Sequence, residues 1–546
     1  MKINPNVLLC ALNSKFIHSC LAVYSLKKYA TVNGYPKEKI TIKEFTINDT
    51  LDFILNGIYS QEYDAIAFSV YIWNCEYVAK LCRIIKKISP GKTIILGGPE
   101  VSYIENHPSF AKDSFDYILC GEGEKSFFTL LTTGEIKEEK PLALEEIPFP
   151  YDEENISLFE NRIVYYETSR GCPFSCAYCL SSAEKGVRYL NLNFVKEELN
   201  FFAEHNVRQV KFVDRTFNAD KKRAYFFWQF IIENFSNKNM NFHFEIAADL
   251  LDDKTIELLS TAPDGLIQLE IGIQSTNENT LNINCRKTDT EKVLSNIRKL
   301  LKNKNINIHT DLIAGLPGES LNDFKKSFND VYSLKSHQLQ LGFLKILHGT
   351  HMVNLSKEYN FLFSPYAPYE VLSNKDMSHE DILYLKKFED VFEKVYNSQR
   401  FIFSLDELEK HFENPFEMFG KLTSFFEEKN LSFVSVSTKE IYNILSEFFK
   451  VKINEESEKF DRLLLTDFYL SEKSELVPVN LKYLLPLNKE MAEKSSLILH
   501  SLSLQKQKGI AVRFVGDNIF IVNYADRNSV TGRFSYKPYS SEISSM

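Results

Sequence analysis

Apolar residues follow two rhythms along this chain, and the way they alternate divides it into three stretches. From Asn6 to Leu12 a continuous apolar run leads into Asn13 to His18 and then into a helix-periodic stretch, Leu21 to Tyr29. A short buried-strand pattern followed by a 3.6-residue pattern is an α/β unit. Ile40 to Thr46, Ala65 to Val70, Thr93 to Leu96 and Tyr117 to Cys120 read as further strands, with helices such as Tyr77 to Ile88 and Lys125 to Leu131 between them. Five such strands predict a parallel, doubly wound α/β sheet, whose ligands lie at loops beyond the carboxyl ends of its strands. Those loops are Asn13 to His18, Ser69 to Asn74, Gly97 to Glu100 and Gly121 to Glu124.

An acidic, proline-bearing stretch (Pro141, Pro148, Pro150) interrupts the periodicity, so residues 1–140 read as a first domain and 141–160 as a linker. The alternation then resumes. Ile163 to Ser169, Gln209 to Asp214, Phe242 to Ala247, Leu266 to Gly272, Ile306 to Ile313 and Gln338 to Leu344 read as six strands with helices between them. Residues 161–350 are therefore expected to form a partial (β/α)6 barrel with reactive groups at its carboxyl-end loops. Beyond about His351 the alternation stops. Residues 351–546 are expected to be mostly helical (Asp381 to Tyr396, Pro415 to Lys429, Thr438 to Lys450), ending in strands within Ile510 to Asn523.

Composition narrows the function. With 44% hydrophobic and 25% charged residues the chain reads as folded protein, and 64 basic against 73 acidic residues leave a net charge of −9. That balance argues against a generally basic nucleic-acid or anionic-membrane surface, and no basic, aromatic-interleaved stripe points to nucleic acid. Apolar runs fall short of the roughly 18–20 residues of a membrane span. Asn13 and Lys15 break the first run before a secretory signal forms, so a cytoplasmic location is expected. Nine cysteines, an odd number with three inside eight residues, read as reduced thiols around a metal.

Those three are Cys172, Cys176 and Cys179, in Gly171-Cys-Pro-Phe-Ser-Cys-Ala-Tyr-Cys179 after a strand. Structural zinc wants four closed ligands, and the nearest fourth candidates, Cys120 and His205, lie at no ribbon or knuckle spacing. Three thiolates can hold three irons of a [4Fe-4S] cluster and leave one iron open to a pocket.

A CxxxCxxC loop opening a six-unit β/α domain resembles the radical S-adenosylmethionine (SAM) superfamily. The resemblance extends to Ala247-Ala-Asp249, Glu270-Ile-Gly-Ile-Gln274-Ser275 and Asp311-Leu-Ile-Ala-Gly315-Leu-Pro-Gly318-Glu319, which look like its third-, fourth- and fifth-strand signatures. It implies that the open iron chelates SAM, that Tyr178 packs near adenine, and that Asp249, Glu270, Gln274, Asp311 and Gly315 shape the SAM side. The second strand departs from the pattern. It ends Val213-Asp214-Arg215-Thr216-Phe217-Asn218 where many members have Gly-Gly-Glu, so Asp214 and Arg215 are either SAM or substrate contacts or an ordinary ion pair.

The first domain resembles the Rossmann-like cobalamin-binding domain of class B radical SAM enzymes. Asn13, Lys15 and His18 stand where related proteins carry an Asp-x-His-x-x-Gly loop, which implies that no protein histidine ligates cobalt. Asn13, Lys15, Ser69, Tyr71, Gly97, Gly98, Gly121, Glu122 and Gly123 are expected on the cobalamin side. A GxGxxG loop is absent after the first strand, so NAD or FAD is not expected. The whole chain, including Ser69-Val-Tyr-Ile-Trp73-Asn74 and Pro368-Tyr-Glu-Val-Leu372, looks like a bacterial family of cobalamin-binding radical SAM proteins that end in a carboxyl domain of unknown function. Tyr366, Tyr369 and Glu370 face either the barrel mouth or an aromatic core.

The resemblance implies cofactors ([4Fe-4S], SAM, cobalamin), a flavodoxin or ferredoxin as reductant, and a small-molecule substrate methylated at an unactivated carbon or phosphorus centre through a 5′-deoxyadenosyl radical. Three alternatives stand beside it. They are a non-methylating cyclase, rearrangement or oxidation enzyme, a cobalamin- or redox-responsive binding protein, and a methylthiotransferase. The last needs a second cluster on amino-terminal cysteines; instead Cys10 and Cys120 fall in apolar strands and Cys75 and Cys82 in helical sequence, where buried thiols are expected.

Overall fold

The computed structural model describes residues 2–103, 107–137, 139–182, 186–453, 457–486, 488–505 and 507–539. Strands β1 (Val7–Asn13), β2 (Ile40–Thr46), β3 (Ala65–Ser69), β4 (Thr93–Gly97) and β5 (Tyr117–Leu119) form a parallel sheet in the order β2-β1-β3-β4-β5. All seven residues of β1 are buried, as a central strand covered on both faces requires. Val7, Leu9 and Ala11 enter one apolar core while Leu8, Cys10 and Leu12 enter another on the opposite face. The strand order reverses at β1, so the loops after β1 and β3 flank a crevice at the carboxyl edge.

The second sheet holds β6 (Val164–Tyr166), β9 (Gln209–Phe212), β10 (Asn241–Ile246), β11 (Ile267–Gln274), β12 (Asn307–Ala314) and β13 (Gln338–Phe343), in the order β13-β12-β11-β10-β9-β6. Every pairing is parallel, and β6 and β13 are free edges, so this is an open partial barrel. The single strand expected over Ile163 to Ser169 is two elements. Asp214 takes the Thr168 N–H (2.9 Å) and hydroxyl (2.6 Å), ending the ladder at Tyr166. The chain restarts as β7 (Ser169–Cys172), which pairs antiparallel with β8 (Gly186–Tyr189).

Alternation along these strands sorts the side chains. Val210, Phe212, Phe242, Phe244, Leu269, Ile271, Ile308 and Leu339 are buried beneath the helices, each large apolar group contributing about 1.5–3 kcal/mol. The other face is polar. In register across it run Lys211 beside His243, Glu245 beside Glu270 beside His309, and Asp311 beside Gln340.

Beyond β13, a short pair β14 (Leu362–Phe363) and β15 (Val371–Ser373) precedes helices His379–Phe392, Ile402–Leu408, Pro415–Glu428, Thr438–Phe448 and Ser457–Ser471. The strands expected within Ile510 to Asn523 extend into a three-stranded antiparallel sheet, β16 (Ile510–Val515), β17 (Asn518–Arg527) and β18 (Phe534–Tyr539). The helix at His379 runs into a π turn, Glu393–Asn397, whose Asn397 both accepts from the Leu339 N–H and donates to the Leu339 carbonyl, each at 2.9 Å. The carboxyl region thus covers the open β13 edge. One apolar core runs from Val7 to Val515 and takes in Leu144, Tyr151, Ile156 and Phe159. The stretch expected as a linker is therefore a packed connector. Among the described residues no helix is long and apolar enough to cross a membrane.

Candidate functional site

The cysteine loop leaves β7 at Gly171, whose φ is +99° and whose missing Cβ would lie 2.1 Å from the Gly186 carbonyl oxygen, so only glycine fits the hairpin. The loop is then pinned through Ala177. Its N–H donates to the Asn284 carbonyl (2.9 Å), and its carbonyl accepts from Met352 N–H (2.8 Å). Cys176 is buried while Cys172 and Cys179 are partly exposed, and all three are free thiols. They do not gather within 4.8 Å of one another, a wider spacing than the roughly 3.8 Å sulfur edges of a zinc tetrahedron with 2.3 Å bonds.

Arg286, for which the sequence offers no motif, stands beside this loop. Its Nη1 lies 3.8 Å from Cys176 Sγ and 3.3 Å from the Tyr178 hydroxyl, and its Nη2 donates to the Gly272 carbonyl. Burial pushes the Cys176 thiol up, and the Arg286 charge opposes that. Gln274, at a bulge in β11, holds φ +72° and leaves its Oε1 buried without a hydrogen bond. A strained non-glycine residue with an unused acceptor on the barrel rim is the signature of a ligand contact.

Other expected rim residues are committed to the protein. Asp214 is buried and accepts from Thr168 and Ser169, and Asp249 accepts from Thr288 and the Asp289 N–H. Gly315 has φ +84°, and a Cβ there would meet Val371 at 2.7 Å, so it seats the carboxyl region rather than opening space for a ligand. Glu319, fully buried, accepts from the Ser275 hydroxyl, and burial pushes its carboxyl up to about 8. Arg215 is exposed and makes no ion pair with the described residues, although its charge reaches Tyr71 and Glu245.

Deeper in the barrel lies a cluster the sequence reading caught only as Glu270 and Asp311. Lys211 Nζ donates to Glu270 Oε2 (3.0 Å), His243 Nε2 lies 3.0 Å from the same oxygen, and His309 Nε2 lies 3.1 Å from Asp311 Oδ1. Burial raises Asp311 and lowers His243; His309 is raised because Asp311 outweighs its burial. Glu245, beside them, is pushed up to about 7 by burial and by Glu270. His309 also lines a cavity of about 630 Å³ shared with Gln338, Gln340, Glu389, Glu393 and Asn397, between β12–β13 and the covering helix.

At the first sheet's crevice, Asn13 is buried and donates to Glu44 (2.9 Å), while Lys15 is exposed. His18 hydrogen-bonds the Tyr165 hydroxyl through Nδ1 (2.7 Å), joining the β1 loop to β6. Asn74 clamps the β3 loop by donating to the Leu12 and Ser69 carbonyls, and Tyr71 stacks on Trp73 with centroids 4.4 Å apart. Burial raises the Tyr71 hydroxyl. Gly98, beside Gly97 at the β4 end, would place a Cβ 2.5 Å from the Val70 carbonyl oxygen, whereas Gly121 opens on free space and Gly123 packs on Leu26.

The Gly121-Glu122-Gly123-Glu124 loop reaches the cysteine hairpin. Arg170, in β7, pairs with Glu124 (2.6 Å), Glu167 (2.9 Å) and Glu122 (3.1 Å), and Glu122 also pairs with Arg188 of β8. The two carboxyl-end rims are held face to face by these pairs. Tyr369 is buried, its hydroxyl donating to Glu100 (2.7 Å) beside His107, Glu370 pairs with Lys386, and Tyr366 is exposed. Cys10, Cys20, Cys75 and Cys82 are buried, but Cys120 is exposed, because β5 ends at Leu119.

Comparison with known proteins matches residues 9–131 to the B12 binding domain, 166–331 to the radical SAM superfamily and 357–508 to a protein of unknown function family, DUF4080. The 2-(S-pantetheinyl)-carbapenam-3-carboxylate methyltransferase of Streptantibioticus cattleyicolor is 28% identical over 331 residues, covering 50% of this chain and 46% of the relative. The cobalamin-dependent radical SAM methyltransferase TokK of Streptomyces tokunonensis is 26% identical over 323 residues, covering 51% and 46%. The chain thus spans about half the length of these curated relatives. The solved structure of the cobalamin-dependent S-adenosylmethionine radical enzyme OxsB with aqua-cobalamin superposes with a TM-score of 0.55 at 14% identity, over 85% of this chain and 80% of that one, and shares its fold.

Proposed function

We propose that this chain, a B12-binding domain followed by a radical SAM domain and a DUF4080 domain, is a cobalamin-dependent radical SAM enzyme that methylates an unactivated carbon or phosphorus centre of a small molecule. One observation carries the reading: β7, the strand that leads into the CxxxCxxC loop, is tied by Arg170 to Glu122 and Glu124 in the loop after β5 of the first sheet. When bound, a [4Fe-4S] cluster with SAM supplies a 5′-deoxyadenosyl radical and cobalamin supplies a transferable methyl group.

The protein's own groups have the remaining work. Cys172, Cys176 and Cys179 hold the cluster, and Arg286 keeps positive charge against Cys176. Tyr178 and the free Oε1 of Gln274 face the SAM side, and uncommitted Arg215 stands between the rims. Ser69, Tyr71 and the glycines after β4 and β5 line the cobalamin side, and Lys15 rather than a histidine stands at the β1-loop position where related proteins ligate cobalt. A flavodoxin or ferredoxin delivers the electron. Four amino-terminal thiols sunk in the core and a fifth at the surface speak against a second cluster and so against methylthiolation.

The test is an anaerobic assay of cluster- and cobalamin-loaded protein with SAM and a low-potential reductant, read by mass spectrometry. Both 5′-deoxyadenosine and S-adenosylhomocysteine are expected, and both vanish in Cys176→Ala. Deoxyadenosine alone would move the reading to a non-methylating enzyme; neither product from fully loaded protein would move it to a binding protein.

A further inference from the structure

Hydrogen bonds account for most buried charge among the described residues, and the barrel interior gathers several atoms they leave out. His243 Nε2, His309 Nε2 and Asp311 Oδ1 are all shut off from solvent and none makes a hydrogen bond. Yet each has an opposite group at close range: His243 Nε2 is 3.0 Å from Glu270 Oε2 and His309 Nε2 is 3.1 Å from Asp311 Oδ1. Each imidazole nitrogen thus faces a carboxylate oxygen without an aligned N–H between them. Glu270, His309 and Asp311 offer ligand atoms that all lie within 4.8 Å of one another, and the His243 side chain is only 9% exposed.

We infer that this cluster is a binding site for one divalent first-row transition-metal ion, with Glu270, His309 and Asp311 as ligands and His243 beside Glu270. One imidazole and two carboxylates suit Zn²⁺, Fe²⁺ or Mn²⁺. The strands fix the donors: Glu270 and His309 are register partners, and Asp311 follows two residues along the same face of β12. Because His309 also borders the 630 Å³ cavity, an open coordination position there would take a hydroxyl, carboxylate or amine of a small polar ligand.

A second group, Cys75, Glu100 and His107, is equally compact, but Tyr369 and His107 already hydrogen-bond Glu100 at 2.7 and 3.0 Å. It is closed by the protein and serves as the control.

The experiment uses full-length chain with Cys172, Cys176 and Cys179 replaced by alanine, which removes cluster iron. Co²⁺ is titrated under anaerobic conditions and followed by its visible ligand-field absorption, and Zn²⁺ retained after dialysis is counted by plasma emission. About one ion per chain is expected, and Asp311→Asn or His309→Gln should weaken binding about tenfold or more, whereas Cys75→Ala should leave it unchanged. Circular dichroism identifies any variant that does not fold, and the two substitutions back each other. No bound ion, an ion indifferent to both barrel substitutions, or an ion lost with Cys75 would each overturn the inference.

Discussion

Two charged clusters sit less than a domain apart in this protein and are built on opposite terms. Around Arg170, the donors are used: Nη2 and Nη1 reach Glu124 at 2.6 and 3.3 Å, Nε reaches Glu167 at 2.9 Å, and Glu124 accepts again from the Ser25 hydroxyl. Burial works against Glu124, yet Arg170 holds its carboxyl below the ordinary value. Around Glu270 and Asp311, the groups are as close but leave three buried atoms without hydrogen bonds. The first arrangement spends its cation on three carboxylates and leaves one buried atom, Glu122 Oε2, without a hydrogen bond, and it ties the two rims together. The second is costly as it stands, which is how a protein keeps a place for something else.

The sharpest way to break that contrast is Arg170→Ala. Removing Arg170 leaves Glu124 and Glu167 without their cation and Glu122 with Arg188 alone, and a loss of about 3–5 kcal/mol is expected from urea unfolding of the metal-free chain. A loss below about 1 kcal/mol would mean that water already satisfies those carboxylates and that the rims are held by the apolar core alone.

A second test separates burial from pairing. Glu319 is buried with no cation, its carboxyl pushed up to about 8, and its Oε2 makes no hydrogen bond. A folded-state value raised above the unfolded one means that the native protein keeps a proton the unfolded chain releases. The contribution is therefore full below about pH 4.5 and is lost as pH rises through about 8, at about 1.4 kcal/mol per pH unit inside that window. Glu319→Gln should flatten the pH dependence of stability over the same window; an unchanged slope would show that Glu319 titrates normally.

The apolar rhythm carried much of this architecture. Runs such as Asn6 to Leu12 and Gln209 to Asp214 located both parallel sheets because a strand buried under helices must be apolar on the covered face. The cysteine loop was legible because its three ligands lie within eight residues. What the rhythm could not show was anything settled between distant segments. Arg170 and Glu124 meet across 46 positions, and Arg286 lies 110 positions from the thiol it faces. The strand break at Thr168 depends on Asp214, which arrives 46 residues later. Lys211, His243 and His309 were in plain view as polar residues at alternate positions of apolar strands. Such alternation reads as solvent-facing by default, and only closure of the sheet by the carboxyl region turns that face into an interior.

The finest test of the contrast is Asp311→Asn in metal-free protein, where the two clusters should part most clearly. Asp311 Oδ1 receives no hydrogen bond although His309 Nε2 is 3.1 Å away, so replacing the carboxylate by an amide of the same shape removes a buried charge without breaking an aligned bond. Unfolding free energy should stay within about 1 kcal/mol of the parent, because the contact with His309 that it gives up is not an aligned bond. Adding Zn²⁺ should then stabilise the parent and leave the variant unmoved, since only a ligand that binds the folded state shifts the unfolding equilibrium. If instead Asp311→Asn without metal costs as much as Arg170→Ala, the interior cluster is a lock of the same kind as the Arg170 network, and its misaligned atoms are tolerated strain with no ion to relieve it.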